Sequence, residues 1–387
     1  MVSRVIRVLL DVSAVPTQPV GAGVYTVELA RGLAEHDAVE LHLLARRSDL
    51  RWNMICPRAT IHNQVPDSRG LRIAWERYRG SRFARKIGCD LWHGPHYTLP
   101  QRLQCATVVT IHDLTFFDHP ETHQRVKVHF FRRAILANAR RATRLVCVSQ
   151  TTAARLHELV LDHAPVTVAH HGVDHDRFRA DGSVVQAKFD NELLAAHGIT
   201  GDFIAFVGTI QPRKALPTLT KAFSSIRIDH PELRLVIAGG DGWGTTELNE
   251  AILANGVAAS VIRTGYVDDS TVAALYRRAV IVAYPSLAEG FGLPALEAMA
   301  CGAPLVTTRG TAMDEFLADA AVTSAPGDAD ALTAALRRAL EPEQQSFLRS
   351  RGPQVAAKFT WSACIDTHIG AYGSAIESAS TAPTTTR

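Results

Sequence analysis

The sequence predicts an α/β protein built from two parallel-sheet domains that face each other across a cleft. Three observations carry this. The chain has 387 residues, more than one compact core usually holds. Short apolar strands alternate with amphipathic helices, the pattern of a parallel sheet covered on both faces. That pattern restarts after residue 200.

In the first half, Val5–Leu10 reads as a strand, followed by a Gly/Pro loop from Pro16 to Gly23 and a helix over 24–33. Further strands are expected at 39–44, 107–111, 144–148 and 166–169, with helices at 128–142 and 151–160. The second half is more regular. Strands at 203–207, 233–238, 261–264, 280–284 and 304–307 alternate with helices at 219–228, 246–254, 270–279 and 293–300. This divides the chain into a first domain over 1–172, a polar, irregular hinge over 173–200, and a second domain over 201–356. A last helical pattern covers 357–377, and 378–387 is a small polar tail expected to be disordered.

Composition excludes several classes. Hydrophobic content of 47% and charged content of 20% describe an ordinary folded protein. No apolar run reaches 18 residues, so no transmembrane helix is expected. Arg4, Arg7 and Asp11 interrupt the amino-terminal apolar stretch, which therefore reads as a strand and not a signal peptide. Six scattered cysteines without a C-x-x-C read as reduced, mostly buried thiols of a cytoplasmic protein. The net charge of +3 hides an asymmetry: residues 1–180 carry 25 Lys+Arg against 16 Asp+Glu. Two runs, Arg69 to Lys86 and Arg125 to Arg144, are dense in Arg, and the first interleaves Trp75, Tyr78 and Phe83. They read either as solvated helix faces or as peripheral contacts with an anionic membrane on its inner face. No nucleic-acid motif accompanies the charge, so nucleic acid is not an expected partner.

In open parallel sheets, ligands sit beyond the carboxyl ends of the strands, and four constellations fall there. After the strand ending at Tyr284 comes EGFGLPALE, residues 289–297. Glu289 lies in a loop and Glu297 about two turns into the next helix. Gly290 and Gly292 allow close backbone approach, and the helix start offers N–H groups to an anion. After the strand at 203–207 comes Gly208, then Arg213 and Lys214, adjacent cations suited to a diphosphate. After the strand at 107–111 comes His112, able to hydrogen-bond a sugar hydroxyl. The loop of Gly21 and Gly23 resembles a phosphate-cradling turn but lacks a complete G-x-G-x-x-G.

Along nearly its whole length the chain resembles glycosyltransferase family 4, whose fold is GT-B, two facing Rossmann-like domains. The residues that carry the resemblance are the glycine loop with Tyr25, HDL at 112–114, CVSQTT at 147–152, HHGVD at 170–174 with Phe178, FVGTIQPRK, LVIAGGDGWG, GYVDD, YPSLAEGFGLPALEAMACGAP and FTWSA. The resemblance implies that Glu289 contacts the donor sugar and Glu297 the ribose. It implies that Arg213 and Lys214 neutralise the diphosphate and that His112 sits beside the donor sugar. The backbone near Tyr266 would face the base, and the N–H groups of Phe291, Gly292 and Leu293 would meet the phosphate. The helix after Trp361 would cross back to the first domain. The chain departs from the family at His171, where Asn is common, at Ala215, where Gly is common, and at Gly310–Glu315, where G-G-x-P-E is usual.

The resemblance further implies a retaining transfer from a nucleotide sugar. Its wording is closest to bacterial mannosyltransferases using GDP-mannose, with a glycan or lipid-linked acceptor. No D-x-D is placed to hold a metal, so no metal or other cofactor is expected. The competing readings are a UDP-sugar-dependent transferase, a sugar-nucleotide epimerase, and a non-catalytic sugar-nucleotide-binding homologue.

Overall fold

The computed structural model describes residues 5–381. The described residues form two units. One takes the chain up to Gly172 together with the last helix, and the other takes Val173–Thr360.

The first unit holds seven strands: β1 (Ile6–Asp11), β2 (Val39–Arg46), β3 (Thr60–Val65), β4 (Leu91–Gly94), β5 (Ala106–Ile111), β6 (Arg144–Cys147) and β7 (Val166–Val168). They form one parallel sheet in the order β3-β2-β1-β4-β5-β6-β7. Alternation along β1 sends Val8 and Leu10 into one apolar cluster and Leu9 into another, so both faces of the sheet are covered. The order reverses between β1 and β4, and the crevice of such a sheet opens there.

The second unit has β8 (Phe203–Val207), β9 (Arg234–Ala238), β10 (Val261–Gly265), β11 (Ile281–Tyr284), β12 (Leu305–Thr308) and β13 (Ala321–Ser324). These too are all parallel, in the order β10-β9-β8-β11-β12-β13. Here the order reverses between β8 and β11, the strands that precede the Arg-Lys and Glu-Gly-Phe-Gly loops.

The last helix, Trp361–Thr381, packs in the first unit. Gly32 leaves room for it, because a Cβ there would lie 2.4 Å from Ile365. A buried hydrogen-bond chain pins it to the sheet, and one anchor fixes the direction of every link. His368 Nδ1 lies 2.7 Å from the Cys364 carbonyl, which can only accept. His368 Nε2 must then accept from the Tyr25 hydroxyl at 2.8 Å, and Tyr25 accepts from Thr110 at 2.8 Å. Thr110 accepts from His93 Nε2–H at 2.8 Å, and His93 Nδ1 accepts from Tyr372 at 2.7 Å. Burial holds His368 down at about 4 and His93 well below its ordinary range, so both rings stay neutral and the chain keeps its direction.

Three expectations are corrected. The segment 173–200 is not irregular: it contains a helix, Val184–Ala195, and belongs to the second unit. Polar Asp190 masked the pattern because it is buried for pairing, meeting Arg277 through two 2.7 Å contacts on the helix Asp269–Arg278. Removing one partner of such a pair typically costs about 3–5 kcal/mol. The tail expected from 378 is helical through Thr381, and 382–387 lie outside the described residues. In the first basic run, a helix over Arg69–Ile87, Trp75 and Phe83 pack against the core, leaving Tyr78 as its exposed aromatic.

Candidate active site

Because β8 and β11 are neighbours, the loops that follow them meet. The Leu287 N–H donates to the Arg213 carbonyl at 2.8 Å, joining the loops through backbone. Arg213 Nη1 donates to Glu289 Oε2 at 2.9 Å and to the Ala288 carbonyl at 3.1 Å. Lys214 Nζ lies 2.5 Å from Glu289 Oε1 and donates to the Tyr284 hydroxyl. Glu289 therefore receives one cation on each carboxylate oxygen. The side chains are largely withdrawn from water, at 17% exposure for Arg213 and 7% each for Lys214 and Glu289. Burial alone would raise the Glu289 carboxyl. The charges of Arg213 and Lys214, with a hydrogen bond from Lys214, outweigh it and bring the group down to about 2. The cluster carries two positive charges and one negative, a net +1 held in place before any ligand arrives.

Directly after Glu289 the chain turns into the helix Leu293–Ala300 at Gly292, whose φ is 105°. A Cβ there would lie 2.6 Å from Met313 Cγ, so both conformation and space demand glycine. Met313 belongs to the stretch that departs from the family pattern, and it fills the space above that glycine. Pro294 sits in the first turn, and Gly292 at the cap position has no side chain to offer the helix N–H groups. Phe291 is buried, its ring 5.2 Å from that of Phe316. Leu293 is buried at the first helical position.

On the other side of the cluster, Gly208 follows β8, its N–H donating to the Ala238 carbonyl at 2.8 Å. The glycine-rich loop after β9 packs onto the Arg-Lys loop backbone to backbone: a Cβ at Gly239 would lie 2.1 Å from the Gly208 carbonyl oxygen. Ala215, immediately after Lys214, has φ 51° and ψ 38° and is buried. The family's usual Gly is at ease in that left-handed region. Ala there costs about 1–2 kcal/mol, a strain that falls on Ala215 itself, directly after Lys214.

Glu297, on the same helix as Leu293, is in a different state. Among the described residues no salt bridge holds it. The Tyr276 hydroxyl donates to it at 3.5 Å. Packing around the carboxyl, on a residue otherwise half-buried, pushes it up to about 8, and Asp269 adds to the rise. Tyr266 follows Gly265 at the end of β10 and is 43% exposed.

In the first unit, Gly21 precedes the helix Ala22–Glu35 with φ 50°, and Gly23 lies inside its first turn. The helix thus begins two residues earlier than the sequence pattern suggests. His112 follows β5 and is 7% exposed. Its Nε2 lies 2.7 Å from the Pro95 carbonyl, which assigns the proton to Nε2 and leaves Nδ1 an acceptor. Burial lowers its pKa, against the Pro95 bond and Asp113, so the ring is neutral. His171, where the family often has Asn, is buried in the same aromatic group, 4.9 Å from Tyr25 and 5.8 Å from Trp361 between ring centroids. Nothing in the sequence indicated that His93, Tyr25 and His368 would form one network beside His112. Also in this unit is a cavity of about 530 Å³ walled in part by His123, Arg125, His129 and Arg132. His123 Nε2 lies 2.8 Å from Thr115 Oγ1, which donates to Asp113 at 2.7 Å.

The two glutamates should titrate far apart. Carboxyl ¹³C NMR of glutamate-labelled protein should place Glu289 at about 2 and Glu297 at about 8. The consequences for stability have opposite signs. The Glu289 contribution is complete above its unfolded pKa, roughly 4.3, and is lost as pH falls toward 2. Ionising Glu297 costs stability as pH rises from that same unfolded value toward 8. Both groups titrating together near 4.3 would contradict this description of the cluster.

Comparison with known proteins identifies the fold and the family. Residues 19–177 match the model described as Glycosyltransferase Family 4, and residues 191–352 match Glycosyl transferases group 1. The chain is 32% identical to O-antigen chain mannosyltransferase B of Escherichia coli over 292 residues, 73% of this chain and 74% of that protein. It is 33% identical to D-inositol 3-phosphate glycosyltransferase of Mycobacterium leprae over 226 residues, 56% of this chain and 50% of that one. Among solved structures, sucrose-phosphate synthase from Thermosynechococcus elongatus superposes with a TM-score of 0.76 at 19% identity, covering 95% of this chain and 98% of that one. At that identity the likeness speaks for the fold alone, and the fold is GT-B. With two parallel α/β units, the strand-end motifs and a relative matched over most of both chains, this protein is a glycosyltransferase and belongs to glycosyltransferase family 4.

Proposed function

We propose that the chain transfers mannose from GDP-mannose to a hydroxyl of a glycan or lipid-linked acceptor, with retention of anomeric configuration. The observation that carries the reading is the pairing of Arg213 and Lys214 with Glu289 at the junction of β8 and β11, beside the helix that starts at Gly292. When a nucleotide sugar breaks at its anomeric C–O bond, negative charge gathers on the departing β-phosphate. Fixed cations and N–H dipoles at that point stabilise the change without reorganising. Arg213, Lys214 and the backbone at Phe291, Gly292 and Leu293 have this character. In this reading they take the diphosphate with no metal, because their charge does the work a cation would otherwise do.

Glu289, held ionised, accepts from donor-sugar hydroxyls, and Glu297 meets the ribose diol. The backbone near Tyr266 meets the base. The neutral His112 accepts from a sugar hydroxyl through Nδ1. The acceptor oxygen attacks the anomeric carbon from the face that the phosphate leaves. Its proton passes to the departing phosphate oxygen, so the step needs no protein nucleophile. The arginines and histidines around the first-unit cavity suit an acceptor bearing a phosphate or carboxylate. Mannose is favoured over other sugars by the relative in Escherichia coli whose name gives that activity.

We further propose a cytoplasmic protein that rests on an anionic membrane surface. No helix among the described residues is long and apolar enough to cross a membrane. Arg77, Tyr78, Arg79, Arg82, Arg85 and Lys86 are exposed on the helix Arg69–Ile87, and each such cation near an anionic surface contributes about 1 kcal/mol. The protein should float with anionic liposomes at low salt and not with neutral ones. Absence of co-flotation with either overturns the membrane reading and leaves the transferase reading intact.

Thermal unfolding against a panel of GDP- and UDP-sugars tests the donor. Saturating GDP-mannose should stabilise the protein by about 2–3 kcal/mol at a hundredfold excess over Kd. Arg213→Ala should cut the shift to about half or less and lower the transfer rate by about 10²–10³, the usual cost of losing one oxyanion-type donor. A shift with a UDP-sugar alone would reassign the donor. No shift with any nucleotide would overturn the site.

A further inference from the structure

The six cysteines are scattered in sequence, yet two of them meet. Cys89 Sγ lies 3.7 Å from Cys105 Sγ. The cause is strand register. Leu91 on β4 pairs with Ala106 on β5, so Cys89 and Cys105 stand just before the amino ends of neighbouring parallel strands. The Ala106 N–H donates to the Asp90 carbonyl at 3.1 Å and closes that corner. Cys89 is buried, whereas Cys105 is half-buried and within reach of small solutes. The Cys89 sulfur lies 3.7 Å from two acceptors, the Ala84 carbonyl and the Cys105 sulfur, and its single S–H serves one of them at a time. The other four cysteines, Cys56, Cys147, Cys301 and Cys364, are all buried, and among the described residues no hydrogen bond joins any two of them.

We propose that Cys89 and Cys105 are an oxidisable dithiol that closes to an intramolecular disulfide under peroxide. The sulfurs must approach from 3.7 Å to about 2.05 Å. The half-buried Cys105 is the entry point. Its thiolate attacks a peroxide oxygen, giving a sulfenic acid and releasing hydroxide. The Cys89 sulfur then attacks the sulfenic sulfur, and the hydroxide it expels takes up the Cys89 proton and leaves as water. Two thiols are oxidised, and one hydrogen peroxide is reduced to two waters. The hydrogen bond from Cys89, which favours ionisation of Cys105, supports this order of events.

The ring so formed would enclose the segment that positions His112. It contains β4 with His93, the Pro95 carbonyl that receives the His112 proton, and Tyr97, whose hydroxyl accepts from the Asp113 N–H at 3.3 Å. The pair lies at the amino ends of the strands and His112 at the carboxyl end of β5. Oxidation would therefore fasten the base of that segment without touching its tip. The inference is independent of which sugar is transferred.

The test is thiol counting under denaturing conditions after graded hydrogen peroxide, followed by peptide mapping without reductant. Wild type should fall from six free thiols to four, yield one linked peptide joining Cys89 to Cys105, and return to six with dithiothreitol. Cys105→Ser and, separately, Cys89→Ala should keep all remaining thiols free of any intramolecular link at the same dose, with unchanged circular dichroism. The proposal is overturned if wild type keeps six thiols. It is also overturned if Cys105 ends as sulfinic acid without a link, or joins a second chain.

Discussion

One electrostatic arrangement organises the loops after β8 and β11: a buried carboxylate held ionised by two cations from the loop of the neighbouring strand. Three charges with little access to water are costly unless each is paired. Here Glu289 takes Arg213 on one oxygen and Lys214 on the other, and the backbone bond from Leu287 to Arg213 fixes the distance between the two loops. The sheet makes this possible. Only where β8 and β11 lie side by side can two loops far apart in sequence share a site. The glycines then act as spacers. Gly239 lets the β9 loop press on the Arg-Lys loop, and Gly292 lets the chain turn from Glu289 into its helix. The residual positive charge is thus prepared in advance, the condition under which electrostatic catalysis avoids reorganisation.

The first unit works by hydrogen-bond direction instead of charge. The Cys364 carbonyl can only accept, and that single fact orients His368, Tyr25, Thr110, His93 and Tyr372 in turn. The chain joins the last helix to β4 and β5, the strands beside which His112 is set. Neutral rings are essential to it. A proton added to His368 would remove the acceptor that the Tyr25 hydroxyl needs, and burial opposes that protonation.

Much of this was legible because parallel sheets collect function at the carboxyl ends of their strands. The loops after 203–207 and 280–284 could be picked out from motif and position alone. Their mutual pairing could not. A sequence shows that Arg213, Lys214 and Glu289 are present, but strand order decides that they touch. The strands missed altogether are β3, a mixed polar run on the edge of its sheet, β4, four residues containing His and Gly, and β13, four residues on the edge of the second sheet. A buried His in a central strand looks polar until its partners Thr110 and Tyr372 are known. The same lesson applies to Asp190, which disguised a helix as a hinge, and to Trp75 and Phe83, whose aromatic rings serve the core of a helix with a basic surface. Cys89 and Cys105 are brought together by register, which has no signature in cysteine spacing.

The central claim is that the Arg213–Lys214–Glu289 cluster is a receptor for a diphosphate. Calorimetric titration of GDP and UDP against GMP and UMP, with wild type and Arg213→Ala, addresses it without an acceptor or any turnover. The account predicts that wild type prefers the diphosphate of its cognate base by at least about tenfold, some 1.4 kcal/mol, and that the variant loses this preference while its monophosphate affinity is unchanged. An equal preference in both proteins would show that the diphosphate is held elsewhere and would contradict the account.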